Sequence, residues 1–167
     1  MGKRILWGIA FITAAALLQS TVFSRLTVYI RAIPDLALCI LVYTAYMNGT
    51  MTGQLNGFFS GLFIDFLSSA PLGLNALIRT LIGAGTGLFR GAFFMDIFFL
   101  PMALCGTATV VKALILFLFN LIYADAVPAY SFFALTFWVE LGLNTLLAPL
   151  VFGLLKLCSS LLAGDRA

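Results

Sequence analysis

Hydrophobic positions along the chain gather into six long stretches, broken by short polar, glycine-rich or proline-containing interruptions. The stretches lack the strict alternation of a half-buried strand and are too long for strands, so each predicts a helix. The predicted helices run over about 5–23, 34–47, 53–69, 74–95, 101–123 and 130–157. The second opens at Pro34-Asp35, where proline suits the first helical turn and an aspartate suits the positive end of the helix dipole. Asn48-Gly49 turns the chain between the second and third, and Pro71-Leu72-Gly73 breaks it before the fourth. Pro149 is expected to bend the sixth or to mark a change in its packing.

Composition decides what solvent these helices meet. Of 167 residues, 63% are hydrophobic and 9% charged, too little polar surface to cover a soluble core of that length. A spanning helix uses about 20 residues, so six would consume roughly 120 and leave no separate soluble domain. The expectation is an all-α membrane protein, a six-transmembrane-helix bundle forming one transmembrane domain over 1–167. The basic start Lys3-Arg4 followed by apolar residues has the look of a signal peptide, but the apolar run continues through Val22 and Phe23 and reads as an uncleaved first helix. With an even number of spans both termini share a side. That side collects Lys3, Arg4, Arg90, Lys156 and Arg166 against Arg25 and Arg31 on the other, which favours cytoplasmic termini. A re-entrant second segment would instead give five spans and invert one terminus.

Small residues form ladders. Gly49, Gly53, Gly57 and Gly61 recur every four positions, with Asp65 and Ser69 continuing the series; Gly83, Gly87 and Gly91 form a second ladder, Ala10 and Ala14 a shorter one. In lipid, helices associate through close packing rather than water exclusion, and small residues let their backbones approach. The ladders either pack the bundle internally or form an interface to another membrane protein.

Four charges fall inside the predicted spans: Asp65, Arg79, Lys112 and Glu140. Ionised groups in hydrocarbon are costly and usually face the interior, pair, or line a functional path. Asp65 lies seven residues before Leu72 and Arg79 seven after it, so a hairpin turning there sets both at one depth. Lys112 and Glu140 are likewise fourteen residues either side of Ala126. Two ion pairs follow as an expectation, Asp65 with Arg79 and Lys112 with Glu140, although depth alone does not fix rotation about each helix. Their role is either a buried clasp or the binding of a polar ligand or lipid headgroup. Glu140 and Asn144, four apart, share a face of the last segment.

The chain has no histidine and only three scattered cysteines, Cys39, Cys105 and Cys158, so neither a metal site nor a cofactor is expected. It carries no phosphate loop, HExxH or GxSxG arrangement, and its hydroxyls have no histidine to activate them. The reading is of a non-enzyme, without a basic stripe for nucleic acid.

The run Pro34-Asp35-Leu36, the longer run GFFSGLFIDFLSSAPLGLNAL from Gly57 to Leu77, and Gln19-Ser20-Thr21-Val22-Phe23 resemble the bacterial rod shape-determining MreD family. The matching motif positions are Pro34, Asp35, Gly57, Gly61, Asp65, Pro71, Gly73 and Ala76; Arg79, Lys112 and Glu140 match no family motif. The resemblance implies a non-catalytic scaffold of the cell-elongation machinery in the inner membrane. It would act with the membrane-anchored protein MreC, the MreB filament, and the glycosyltransferase and transpeptidase of side-wall peptidoglycan synthesis. It also implies a bundle similar to the substrate-binding subunits of energy-coupling-factor vitamin transporters. Two functional classes therefore stand: a scaffold working through lipid-embedded helix faces, and a binding or transport subunit for a small molecule or lipid-linked precursor.

Overall fold

A computed structural model describes residues 2–23, 33–68, 71–92, 98–123 and 132–157. Six helices follow one another: α1 (Gly2–Leu18), α2 (Leu36–Asn48), α3 (Thr50–Leu67), α4 (Leu74–Leu88), α5 (Phe99–Ile122) and α6 (Leu135–Leu157). After α1 the backbone widens into a π-helical turn, Gln19–Phe23. Within it the Ser20 and Thr21 hydroxyls donate to the Leu17 carbonyl, at 2.9 and 2.8 Å, offering that carbonyl an alternative to regular helical bonding.

α2 is the central helix. Every residue from Ala37 to Tyr46 is buried, and α2 touches each of the other five helices. A helix that is apolar on all sides is one enclosed by protein, and here the enclosure includes Tyr43 edge-on to Phe152 of α6. Ile12 and Ala16 of α1, Ile78 and Ile82 of α4, Leu104 and Cys105 of α5 complete the core around it. The outside is apolar as well: Leu114, Leu118 and Leu121 on α5 and Trp138, Leu146 and Leu150 on α6 are all exposed.

The expectation of six membrane-crossing helices is corrected by length. Among the described residues, only α5, with 24 residues, and α6, with 23, are both long and apolar enough to cross a bilayer. At 1.5 Å per residue, α2 reaches only about 20 Å and α4 about 22 Å, short of a ~30 Å hydrocarbon core. α3 has 18 residues but carries Gln54, Asn56, Ser60 and Asp65. The chain is thus an all-α bundle of six helices with two of spanning length. α4 also ends seven residues before its expected limit: Phe89 and Arg90 donate to the Thr86 and Gly87 carbonyls in tighter turns, and Gly91 has φ +75°. Pro149 lies inside α6 without ending it.

α3 and α4 form the closest-packed pair, an antiparallel hairpin built from the glycine ladder. A Cβ on Gly57 would stand 2.3 Å from the Arg79 carbonyl oxygen, on Gly61 2.4 Å from the Ala76 Cα, and on Gly87 2.5 Å from the Thr50 Cα. Gly53 and Gly83 face each other backbone to backbone, each leaving no room for a Cβ on the other. These ladder residues are therefore engaged inside the chain. Gly49 belongs to the α2–α3 turn, where φ +93° requires a glycine, and Gly91 stands clear of any neighbour. Ala10 and Ala14 are exposed; on α1 it is Gly8, Ile12 and Ala16 that face inward.

Candidate functional site

Helices α2, α4 and α6 run in one direction, so their N-terminal ends meet at one end of the bundle. Asp35 sits immediately before α2 and caps it, its Oδ1 accepting from the Leu38 N–H at 3.0 Å. Arg79 is one and a half turns into α4. Side chains on a helix lean toward its N-terminus, so the long guanidinium swings back to the level of Asp35. Its Nη2 donates to both carboxylate oxygens, at 2.8 and 3.0 Å. From α5, the Lys112 ammonium reaches the other side of the same carboxylate at 2.8 Å and also donates to Glu140 of α6 at 2.8 Å. Two acids and two bases from four elements form one chain of contacts, Arg79 to Asp35 to Lys112 to Glu140.

Asn144 extends this network. Its Oδ1 accepts from the Asp35 backbone N–H at 2.7 Å, and its Nδ2 donates to the Thr109 hydroxyl of α5 at 3.0 Å. Thr109 in turn donates to the Cys105 carbonyl at 2.8 Å. Asp35 and Arg79 are each only 5% exposed, so the contacts operate away from solvent. In such surroundings each charge is tolerable only because the next one faces it.

The expected partnership of Asp65 with Arg79 is not what the hairpin makes. Asp65 caps α4 from across the turn: its two oxygens accept from the backbone N–H groups of Gly73, Asn75 and Ala76 and from the Asn75 Nδ2, all at 3.0–3.1 Å. Those four bonds fill the lone-pair positions of a carboxylate, and a negative charge at a helix N-terminus is favoured by the dipole. Equal depth was a necessary condition for an ion pair and not a sufficient one, because the Arg79 side chain leaves α4 toward α2. Lys112 and Glu140, also at equal depth, do touch.

The family-like run is thereby explained residue by residue. Gly57 and Gly61 admit the α4 backbone, Ala76 is small where Gly61 meets it, Asp65 caps, Pro71 accepts the Leu74 N–H at 3.2 Å in the turn, and Gly73 adopts φ +95°. Asp35 is the residue whose reach went unforeseen. Its place at the start of a helix suggested only a favourable interaction with the helix dipole. The parity of the helices held the missing signal, since the starts of the second, fourth and sixth share one end of the bundle.

A cavity of about 330 Å³ opens beside the network, lined by Asp35, Arg79 and Lys112 together with Gln19, Asn75 and apolar residues of α1 and α3. Among the described residues no group of three or more histidine, cysteine or acidic side chains is arranged to hold a metal ion. Arg25, Arg31, Ser69, Cys158 and Arg166 lie outside the described residues, as do the side chains of Lys3 and Arg4.

Compared with known families, the chain matches the rod shape-determining protein MreD over residues 1–158. Neither a curated protein nor a solved structure matches it. The expected likeness to the substrate-binding subunits of energy-coupling-factor transporters consequently has no support.

Proposed function

The chain belongs to the rod shape-determining protein MreD family, and on that premise we propose that its outward helix faces, α1 above all, hold the partners while its interior holds the bundle. Members of this family are non-catalytic, and the chain is a multi-pass protein of the bacterial inner membrane, a non-enzymatic scaffold of the cell-elongation machinery that acts with other components of it. The observation that carries the proposal is the direction of the small residues. Gly53, Gly57, Gly61, Gly83 and Gly87 are occupied by neighbouring backbone. Ala10 and Ala14 are exposed on α1, flanked by exposed Leu6, Trp7, Leu17 and Leu18. A flat, small-residue stripe bordered by large apolar side chains suits the close approach of a partner's transmembrane helix. The partner of this face is an MreC-type protein with a single membrane anchor. The glycosyltransferase, the transpeptidase and the MreB filament are reached through it.

Photocrosslinking in growing cells tests this. A photoreactive residue at Ala10 or Ala14 is expected to capture a membrane protein with one anchor helix, and one at Ile12, which is fully buried, to capture none. Equal capture from Ile12, or none from the two alanines, would move the interface elsewhere. We propose further that both termini lie in the cytoplasm, a reading supported by the basic residues near them, Lys3, Arg4, Lys156 and Arg166. A green fluorescent protein fused at the C-terminus should then fluoresce, and a dark fusion with an active periplasmic phosphatase in its place would reverse the orientation.

A further inference from the structure

The four charges cancel as a set, yet they do not face the cavity equally. Arg79, Lys112 and Asp35 line it and Glu140 does not, so two cations and one anion border the open space. Their hydrogen-bonding capacity is just as uneven. Asp35 accepts twice from Arg79, once from Lys112 and once from the Leu38 N–H, which occupies the four lone-pair positions of its carboxylate. The cations have donors to spare. Arg79 directs Nη2 at Asp35, but its Nη1 has no hydrogen-bond partner although the residue is 5% exposed. Lys112 places two of the three N–H bonds of an ammonium, on Asp35 and Glu140. A buried guanidinium nitrogen left without an acceptor is costly, and a ligand oxygen brought in through the adjoining cavity would supply one.

We propose that this cavity is a binding site for the phosphate group of a membrane lipid. An anionic ligand fits best, because the described lining residues carry two cations against one anion and the cations hold the unused donors. Phosphate oxygens meet a guanidinium edge and an ammonium with charge-assisted bonds. Gln19, whose buried Oε1 is likewise without a partner, offers the complementary acceptor for a hydroxyl or protonated oxygen on the same headgroup. Gln19 and Ser20 line the cavity from the π-helical turn that follows α1. A lipid source fits the remaining walls: Ala16, Ile64 and Leu67 are apolar, and Leu67 is half exposed on the outside of the bundle, which gives an acyl or prenyl chain an exit. The volume, about 330 Å³, exceeds what a bare phosphate fills and lies at the lower end of ordinary ligand pockets, roughly 300–1,000 Å³. The site adds a binding property to the scaffold and depends on none of its partner contacts.

Native mass spectrometry of the full chain, delipidated in an uncharged detergent, tests the assignment with three probes: dioleoyl phosphatidic acid, dioleoylglycerol, and inorganic phosphate. One molecule of phosphatidic acid is expected to remain bound, with at least tenfold weaker retention of dioleoylglycerol, which has the same chains and no phosphate. Inorganic phosphate is expected to compete only weakly; competition as strong as that of the lipid would make the source soluble and overturn the lipid assignment. Arg79→Lys keeps a cation opposite Asp35 but removes Nη1, and should weaken phosphatidic acid at least tenfold. Because that change touches the ion network, Ala16→Leu is the second variant: it fills the cavity from α1 without altering a charge and, in the fraction that circular dichroism shows to be folded, should weaken binding equally. Retention of both lipids alike, undiminished binding in Ala16→Leu, or no binding by the wild type, leaving the cavity to water alone, would each overturn the proposal.

Discussion

Gly83→Ala is expected to destabilise the bundle by about 2–3 kcal/mol or more, although the same change two residues further along the same helix, Gly85→Ala, should be harmless or stabilising by up to about 1 kcal/mol. Both replacements improve intrinsic helix propensity equally. What separates them is the neighbour. A Cβ on Gly83 would lie 2.2 Å from the Gly53 carbonyl oxygen, and on Gly85 it would find nothing within 4 Å. Overpacking is tolerable when a flexible side chain can move aside, but here a whole backbone must retreat and would draw α3 away from α4 along the ladder. Gly57→Ala should behave like Gly83→Ala, since its Cβ would meet the Arg79 carbonyl oxygen. Thermal unfolding in detergent, followed by circular dichroism, reads the difference. Equal melting temperatures for Gly83→Ala and Gly85→Ala would mean that the two helices are not packed backbone to backbone.

Asp35→Ala has the larger expected effect, about 3–5 kcal/mol, because it leaves two largely buried cations without their shared anion. Arg79 would lose its only ion-pair partner among the described residues, whereas Lys112 would keep Glu140. The α2 cap and the tie to Asn144 through the Asp35 backbone differ in fate. The backbone N–H bond to Asn144 survives the substitution, and the side-chain cap of Leu38 does not. A second change sharpens the test. Arg79→Gln in the Asp35→Ala background removes the stranded guanidinium and should restore part of the lost stability, a coupling that independent sites would not show. Additive losses in the double variant would mean that the two residues act apart.

These two effects also mark where the amino-acid sequence is informative. The ladder could be read directly, since spacing four on a helix predicts close approach whatever the partner. Which helix filled the groove was open, and the structure answers that it is α4. Lys112 with Glu140 could be read from depth. Asp65 with Arg79 could not, because depth says nothing of the direction in which a side chain leaves its helix. Asp65 instead met backbone donors at Gly73, Asn75 and Ala76, from the N-cap to the third residue of the next helix, the local demand of a helix start that lacks a capping side chain of its own. Asp35 was hidden by the opposite circumstance, a local role as a cap that is real and incomplete. The number of spanning helices was overestimated because apolar composition does not distinguish a helix facing lipid from one enclosed by protein. α2 is nearly as apolar as α5, yet it is about half as long and lies at the centre of the bundle. The cavity had no signature in the chain at all, being made of residues from α1, α2, α3, α4 and α5 whose relative placement is tertiary.

The division of labour between an internally closed bundle and an outward α1 face is tested most directly by replacing Ala10 and Ala14 together with leucine in a strain that lacks its own copy of the protein. Folding, purified yield and melting temperature should match the wild type, since both side chains point away from the bundle, while rod shape is lost and the MreC-type partner no longer co-purifies. Rod-shaped cells with full partner recovery from that variant would contradict the assignment of the scaffold function to this face.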